Sequence, residues 1–284
     1  MTGESDPRLT PARPDLAAAH LRGRVEATRF VEPQLRAVIE AETPLRRAPV
    51  PDAPLETEAL YGERVAVYET MDEGWCWVQL QGDGYVGYVA ANALAAPAGE
   101  PTHTVSALRT LVFPGPDIKL PPLSSLPMGA RVTVREASGP LARLASGGFV
   151  PAMHLAPAGE HARDPAAIAE RFVGTPYLWG GKTSLGIDCS GLVQVAMQAC
   201  GIACLRDSDM QERNLGAPVD AGSALTNVRR GDLVFWKGHV AMMLDATHIV
   251  HANAFHMAVA VEPLAQAVAR IAATGSAVTD IRRI

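Results

Sequence analysis

The feature that most constrains this chain is Gly186-Ile187-Asp188-Cys189-Ser190-Gly191-Leu192-Val193-Gln194, a cysteine between two small polar residues where a helix begins. Upstream, Tyr177-Leu178-Trp179-Gly180-Gly181 reads as an aromatic-glycine loop; downstream, Leu192, Val193, Val195, Ala196 and Ala199 keep a helical apolar period. A first-turn cysteine sits beside unpaired backbone N–H groups and the positive end of the helix dipole, and both favour thiolate over thiol. The pattern therefore predicts a nucleophile at Cys189, and the rest of the chain has to supply its base and its walls.

The chain has 284 residues, enough for two or three domains, and 48% of them are apolar, enough for well-filled cores. A formal net charge of −5 without runs of like charge gives no support to nucleic-acid or membrane-surface binding and points to a small substrate or a protein partner. The first residues are polar and lead into Arg and Pro rather than an apolar core segment, and no apolar run approaches the ~20 residues that span a bilayer. The expectation is a cytoplasmic protein without a membrane segment. Cys76, Cys189, Cys200 and Cys204 are irregularly spaced, so reduced thiols and no metal or cofactor are expected.

Taken in order, residues 1–35 hold prolines, arginines and an Ala-rich patch, and read as an arm lying over other domains, with no fold assigned to it. Residues 36–97 carry short β-like runs, Arg64-Val65-Ala66-Val67-Tyr68 and Cys76-Trp77-Val78-Gln79-Leu80, between turn signals at Asp72-Glu73-Gly74 and Gly82-Asp83-Gly84. With Tyr85-Val86-Gly87-Tyr88-Val89 they resemble a bacterial SH3-like barrel. Residues 98–157 repeat that order more faintly, with Phe149-Val150-Pro151-Ala152 in the place of Gly87-Tyr88-Val89-Ala90, which predicts a second barrel. From residue 160 to 284 the order becomes helices first and a strand meander after. Asp164-Pro165 opens a helix, Cys189 begins the next, Gly201 closes it, and strands follow over 232–236, 239–244, 248–252 and 258–262. That is an α+β domain.

A thiol nucleophile needs a base within hydrogen-bond reach and a third group to orient the base. Of the eight histidines, His20, His103, His154 and His161 fall in the arm, barrels or linker, and His248 and His256 at strand ends or turns. His239 begins an apolar strand and His251 lies within the next, so a meander can bring both to one side of the sheet, facing Cys189.

The series Thr175-Pro176-Tyr177-Leu178-Trp179-Gly180-Gly181, Gly186 to Val193, Arg230-Gly231-Asp232-Leu233-Val234-Phe235-Trp236 and Gly238-His239-Val240-Ala241-Met242 resembles the successive motifs of NlpC/P60 cysteine peptidases. The resemblance covers 160–284 and implies a papain-like domain cutting amide bonds of cell-wall peptides, commonly after γ-D-glutamate. It implies Cys189 as nucleophile, His239 as general base and His251 as the group orienting it. Because His251 brings no carboxylate charge, weak stabilisation of the imidazolium is expected.

Leu205-Arg206-Asp207-Ser208-Asp209-Met210-Gln211, together with paired SH3-like modules, is similar to the intracellular γ-D-glutamyl-L-diamino acid endopeptidase branch, which takes released murein peptides with a free N-terminal L-Ala. That resemblance implies substrate contacts at Asp207, Ser208, Asp188 and Ser190 and at a barrel tyrosine, Tyr85 with Tyr88 as alternative, with Glu56 a possible acidic partner. Tyr177 and Trp179 read equally as loop packing or as walls for the substrate stem, and Asp188 equally as a helix cap. Two other readings remain at this stage: an amidase or acyltransferase using the same Cys-His core, and a non-catalytic protein that binds wall peptides.

Overall fold

Short alternating runs interrupted by glycine turns commit the first half of the chain to sheet, whereas the second half mixes helices with one large antiparallel sheet. The computed structural model describes residues 6–220, 222 and 225–284 and divides into two units, one ending at Ala158 and one running from Gly159 to Ile284. Among the described residues no helix is long and apolar enough to cross a membrane.

In the first unit a seven-stranded antiparallel sheet runs in the order Leu55–Leu60, Glu42–Arg46, Val86–Ala90, Trp75–Leu80, Arg64–Thr70, Gln34–Val38 and Leu94–Ala95. Val65, Val78, Leu80 and Val89 point into its core and are fully buried. The turn before Tyr85 is closed by the Leu80 N–H donating to the Tyr85 carbonyl at 2.9 Å. Gly84 takes φ +80° there, a conformation that disfavours any residue with a Cβ.

The arm has more order than its composition predicts; its first five residues lie outside those described. Leu16–Ala18 pairs in parallel with Arg29–Val31, and Leu16, Ala18 and Leu21 pack with Ala66, Tyr68 and Trp77. Arg13 lies over the Trp77 ring at 4.3 Å and donates to the Tyr88 hydroxyl at 3.0 Å. Its buried apolar side chains, spread between prolines, are what a search for periodicity passes over.

Residues 103–157 form three small sheets around a core of Val105, Val112, Leu126, Val132, Leu144 and Val150. Strand Phe149–Pro151 runs into a 3-10 turn at Ala152–His154 and then Leu155–Pro157, the same sequence of elements as Val86–Ala90, Ala91–Ala93 and Leu94–Ala95.

In the second unit, α1 (Pro165–Glu170) begins where Asp164 accepts from the N–H groups of Ala166 at 2.9 Å and Ala167 at 3.3 Å. It is shorter than its apolar pattern suggests, because tighter bonds from Arg171 to Ile168 and from Phe172 to Ala169 end it. Helix α2 (Cys189–Ala199) is buried from Cys189 to Met197 and ends before Gly201, at φ +75°. Its third residue must be glycine, since a Cβ on Gly191 would overlap the Gly181 carbonyl oxygen. Helix α3 (Ser208–Asn214) follows, and then a six-stranded antiparallel sheet in the order Ala217–Pro218, Val278–Arg283, Leu233–Trp236, His239–Met243, His248–Asn253, Ala258–Pro263. Helix α4 (Leu264–Ala272) places Leu264 and Ala267 on one face of that sheet, against Ala241, Met243 and Ile249.

The Arg230-Gly231-Asp232 motif is structural. Arg230 donates to Asp164 at 2.8 Å and Glu170 at 2.6 Å, anchoring α1. Asp232 is buried and takes a two-point contact from Arg283 at 2.8 and 2.6 Å, which pins the last strand.

Gly191→Ala tests the tight entry to α2. Helix propensity alone would favour alanine by ~1 kcal/mol. Overlap with a backbone oxygen should outweigh that, giving a net loss of about 2 kcal/mol or more in chemical denaturation.

Candidate active site

Asp188 starts α2 as its N-cap. Its Oδ1 accepts from the Gly191 N–H at 2.7 Å and from Arg206 Nη1 at 2.9 Å; its Oδ2 accepts from the Gly180 N–H and from Arg206 Nη2, each at 2.7 Å. Arg206, 1% exposed, also donates to Ser190 Oγ at 2.9 Å and to the Gly181 carbonyl at 3.3 Å. A buried charge is tolerated only when paired and hydrogen-bonded, and here one ion pair ties the helix start, the glycine loop and the approach to α3 together. Gln211 adds bonds of 2.9 Å to the Ser190 and Leu205 carbonyls. Asp188 and Ser190 are therefore engaged in holding the helix entrance.

Cys189 occupies the first position of α2 and is buried. The Val240 and Ser190 backbone N–H groups favour its thiolate, which sets the sulfur against the start of the His239 strand. Burial nonetheless dominates and, with the Asp188 charge adding to it, pushes the thiol up to about 12. Desolvation of this buried sulfur therefore works against the thiolate expected from the helix N-terminus, and exceeds the help from the backbone N–H groups. The Tyr177 hydroxyl is likewise pushed up to about 12, first by burial and then by the charges of Cys189 and Asp188, which puts it beside the sulfur. Trp179 is 66% exposed on the same loop.

His239 and His251 come together on one face of the sheet. The register Met242↔Val250, continued by one pair, sets Ala241 opposite His251 and His239 on the diagonal from it. His239 Nε2 lies 2.8 Å from His251 Nδ1. Burial pushes both imidazoles down to about 3, helped for His239 by His251 and Arg270, and for His251 by Arg270 and His256. Both rings are neutral at neutral pH.

A second diagonal step leads to a residue that motif reading missed. His251 pairs with Ala260, so Glu262 is its diagonal neighbour on the following strand, and Glu262 Oε1 lies 2.7 Å from His251 Nε2. Arg270 of α4 donates to the same Oε1 and rests on the Phe255 ring at 4.3 Å. The available signal was a carboxylate closing an otherwise apolar strand, Ala258-Val259-Ala260-Val261-Glu262. His251, His256 and Glu262 carry ligand-type atoms within 4.8 Å of one another. Both ring nitrogens of His251 face protein partners and Glu262 holds a guanidinium, so the trio is built as a hydrogen-bond chain and makes a poor cradle for a cation.

The remaining expected contacts are placed as follows. Asp207 is the N-cap residue of α3 and Ser208 its first residue, directly after Arg206. In the first unit Tyr85 is buried and its hydroxyl donates to Glu56 Oε2 at 3.3 Å, while Glu56 Oε1 accepts from Arg47 at 2.5 Å. Tyr88 is held by Arg13.

Residues 174–275 match the NlpC/P60 family, and residues 45–94 match the bacterial dipeptidyl-peptidase Sh3 domain. The chain is 30% identical over 224 residues to dipeptidyl-peptidase 6 of Lysinibacillus sphaericus, covering 71% of this chain and 81% of that protein. It is 28% identical over 242 residues to the gamma-D-glutamyl-L-lysine dipeptidyl-peptidase of Bacillus cereus, covering 74% and 71%. A crystal structure of an NlpC/P60 family protein from Bacillus cereus superposes with a TM-score of 0.74 at 21% identity, over 88% of this chain and 99% of that one. The chain belongs to the NlpC/P60 family. It is a peptidase with a papain-like domain, preceded by SH3-type structure.

The neutral histidines carry a pH signature. Their folded values of about 3 lie below the ordinary 6.5, so between those limits the unfolded chain binds more protons than the folded one. Stability is complete above 6.5 and declines as the pH falls toward 3, by ~1.4 kcal/mol per pH unit for each proton taken up. Urea midpoints should fall between pH 7 and pH 5, and His251→Gln should flatten the decline. Equal flattening by a surface histidine, His20→Gln, would contradict the assignment. Arg206→Met, which strands a buried carboxylate, should cost about 3–5 kcal/mol by the same measurement.

Proposed function

We propose that this peptidase is a cysteine endopeptidase of cell-wall peptide recycling. It cleaves the γ-D-Glu–diaminopimelate bond of L-Ala-γ-D-Glu-diaminopimelate and its longer forms, in the cytoplasm, without a cofactor. The observation that carries the chemistry is the 2.8 Å contact between His239 Nε2 and His251 Nδ1, on a strand whose next N–H, that of Val240, meets the Cys189 sulfur. The name of one relative, a gamma-D-glutamyl-L-lysine dipeptidyl-peptidase, supports a cut between γ-D-glutamate and a diamino acid.

With Nε2 committed to His251, Nδ1 is the nitrogen of His239 left to serve Cys189. The resting pair is thiol and neutral imidazole, so the proton passes from Sγ to Nδ1 as sulfur attacks the γ-carbonyl carbon. The tetrahedral oxyanion is received by the Cys189 N–H, which as the first residue of a helix has no intrahelical acceptor. The imidazolium then protonates the leaving amine of the diamino acid, releasing it and leaving a thioester. Water, deprotonated by His239, hydrolyses the thioester and regenerates the thiol.

Tyr177 and the exposed Trp179 supply walls for the peptide stem. Asp207 and Ser208 are the groups assigned to the substrate ammonium; Asp188 is engaged by Gly180, Gly191 and Arg206, the residue just before Asp207. A carboxylate at that end accepts a free L-Ala amine and rejects an acylated one, which limits the enzyme to released peptides. Residues 103–157 are read as a second SH3-like module on the strand, 3-10 turn and strand order they share with the first.

Cys189→Ala should lower kcat on the free tripeptide by about 10,000-fold or more, read by chromatography of the released diamino acid. Undiminished hydrolysis would remove Cys189 from the mechanism. Acetylating the substrate amine should lower kcat/KM by at least about 100-fold. Equal rates on both forms would exclude the amine clamp, and transfer to an added amine acceptor in place of hydrolysis would mark an acyltransferase.

A further inference from the structure

The three diagonal neighbours His239, His251 and Glu262 form an unbroken hydrogen-bonded line, with contacts of 2.8 and 2.7 Å across three adjacent strands, and Arg270 closes its far end. A line of this kind has a direction. A carboxylate can only accept, so the proton between Glu262 and His251 belongs on His251 Nε2. A neutral imidazole carries one proton, so His251 Nδ1 is then bare and accepts from His239. The His239 proton accordingly sits on Nε2, and Nδ1 is left as a lone pair. Reversing the direction at Glu262 would put a proton on His239 Nδ1, and a ring protonated there cannot take one from a thiol.

We propose that Glu262 is a positioning residue of this peptidase: it sets the tautomer of His251 and, through it, makes His239 a base toward Cys189. The proposal rests on the assignment of His239 as the base. Glu262 touches neither substrate nor sulfur; it acts two side chains away.

Arg270 explains how the line keeps its direction without trapping a charge. A carboxylate alone would favour protonated histidines, and a base that is already protonated is useless. Arg270, packed on Phe255 and bonded to Glu262, offsets that field while leaving Glu262 an acceptor. The charged and titratable groups acting on the two rings bear this out. Arg270 opposes protonation of both, His256 opposes it at His251, the two histidines oppose each other at His239, and Glu262 and Asp188 favour it at His239. The balance is a pair of neutral rings with a fixed proton order. In the transition state the proton moves only from Sγ to Nδ1, and the imidazolium that forms is stabilised through neutral His251 by the Glu262 charge.

The test reads tautomers directly. Nitrogen-15 NMR of histidine-labelled protein should show His239 and His251 both protonated on Nε2 at pH 7. In Glu262→Leu, His251 should shift to the Nδ1-protonated form. The rate at which iodoacetamide alkylates Cys189 should drop about 10-fold or more, toward the 10²–10⁴-fold that general-base catalysis supplies. Glu262→Gln, whose amide oxygen can still accept, should fall between wild type and Leu, and it serves as the reporter if Glu262→Leu does not fold. Arg270→Met should keep both tautomers and move the acid limb of the alkylation profile to higher pH. Hydrolysis of the tripeptide by Glu262→Gln should lose kcat with KM unchanged. A folded Glu262 variant with wild-type tautomers and wild-type alkylation would overturn the proposal. Should the wild type alkylate and show these tautomers yet leave the tripeptide uncut, the substrate assignment falls and the role of Glu262 stands.

Discussion

A single buried ion pair, Asp188 with Arg206, is the contact on which the catalytic unit depends. Removing a carboxylate and a guanidinium from water costs several kcal/mol for each ion, and only dense hydrogen bonding offsets it. Here the carboxylate collects the N–H groups of Gly180 and Gly191, and the guanidinium reaches Ser190 and the Gly181 carbonyl. Three segments far apart in sequence must meet for those bonds to form, so the pair specifies the geometry of the α2 entrance as much as it stabilises it. Gly191 belongs to the same constraint, because the backbone of the glycine loop passes where its side chain would be.

Placing that negative charge beside Cys189, the proposed nucleophile, has a chemical consequence. A helix N-terminus favours a thiolate by ~1 kcal/mol or so, whereas full burial next to Asp188 acts much more strongly the other way. Burial and Arg270 push both histidines down to about 3, so the resting thiol faces neutral rings, His251 buried and His239 partly so. Such a site separates charge only when a substrate arrives and the proton moves. On the proposed mechanism its reactivity depends on which nitrogen of His239 holds the proton beforehand, and Glu262, through the 2.8 and 2.7 Å contacts of His251, is the group proposed to decide that.

Much of this was legible in local pattern, for physical reasons. The α2 cap, the closing Gly201, the Asp164-Pro165 start and the meander strands all follow from short-range rules of capping and alternation. The meander was close enough to sheet register to bring His239 and His251 to one face. The SH3-type module at 45–94 and the papain-like domain likewise rested on contiguous motifs. Partnerships across long separations did not show. Arg206 finds Asp188 18 residues back, Arg283 finds Asp232 51 residues back, and the last strand inserts beside Leu233–Trp236. Helix α4 was not assigned from the sequence, although Leu264, Ala267, Val268 and Ile271 keep helical spacing, and nothing local said that Arg270 would bond to Glu262. The internal pairing of the arm did not show, because proline breaks the periods by which buried segments announce themselves.

The resting protonation state of Cys189 separates a neutral thiol–imidazole pair from a preformed ion pair. The ultraviolet absorbance of thiolate, titrated in the wild type with Cys189→Ala as the blank, isolates this sulfur from Cys76, Cys200 and Cys204. The result predicted is no Cys189 thiolate signal from acid through neutral pH, with the signal emerging only in alkali. A thiolate signal already present at neutral pH and persisting into acid would show a preformed thiolate–imidazolium pair and contradict the neutral relay described above.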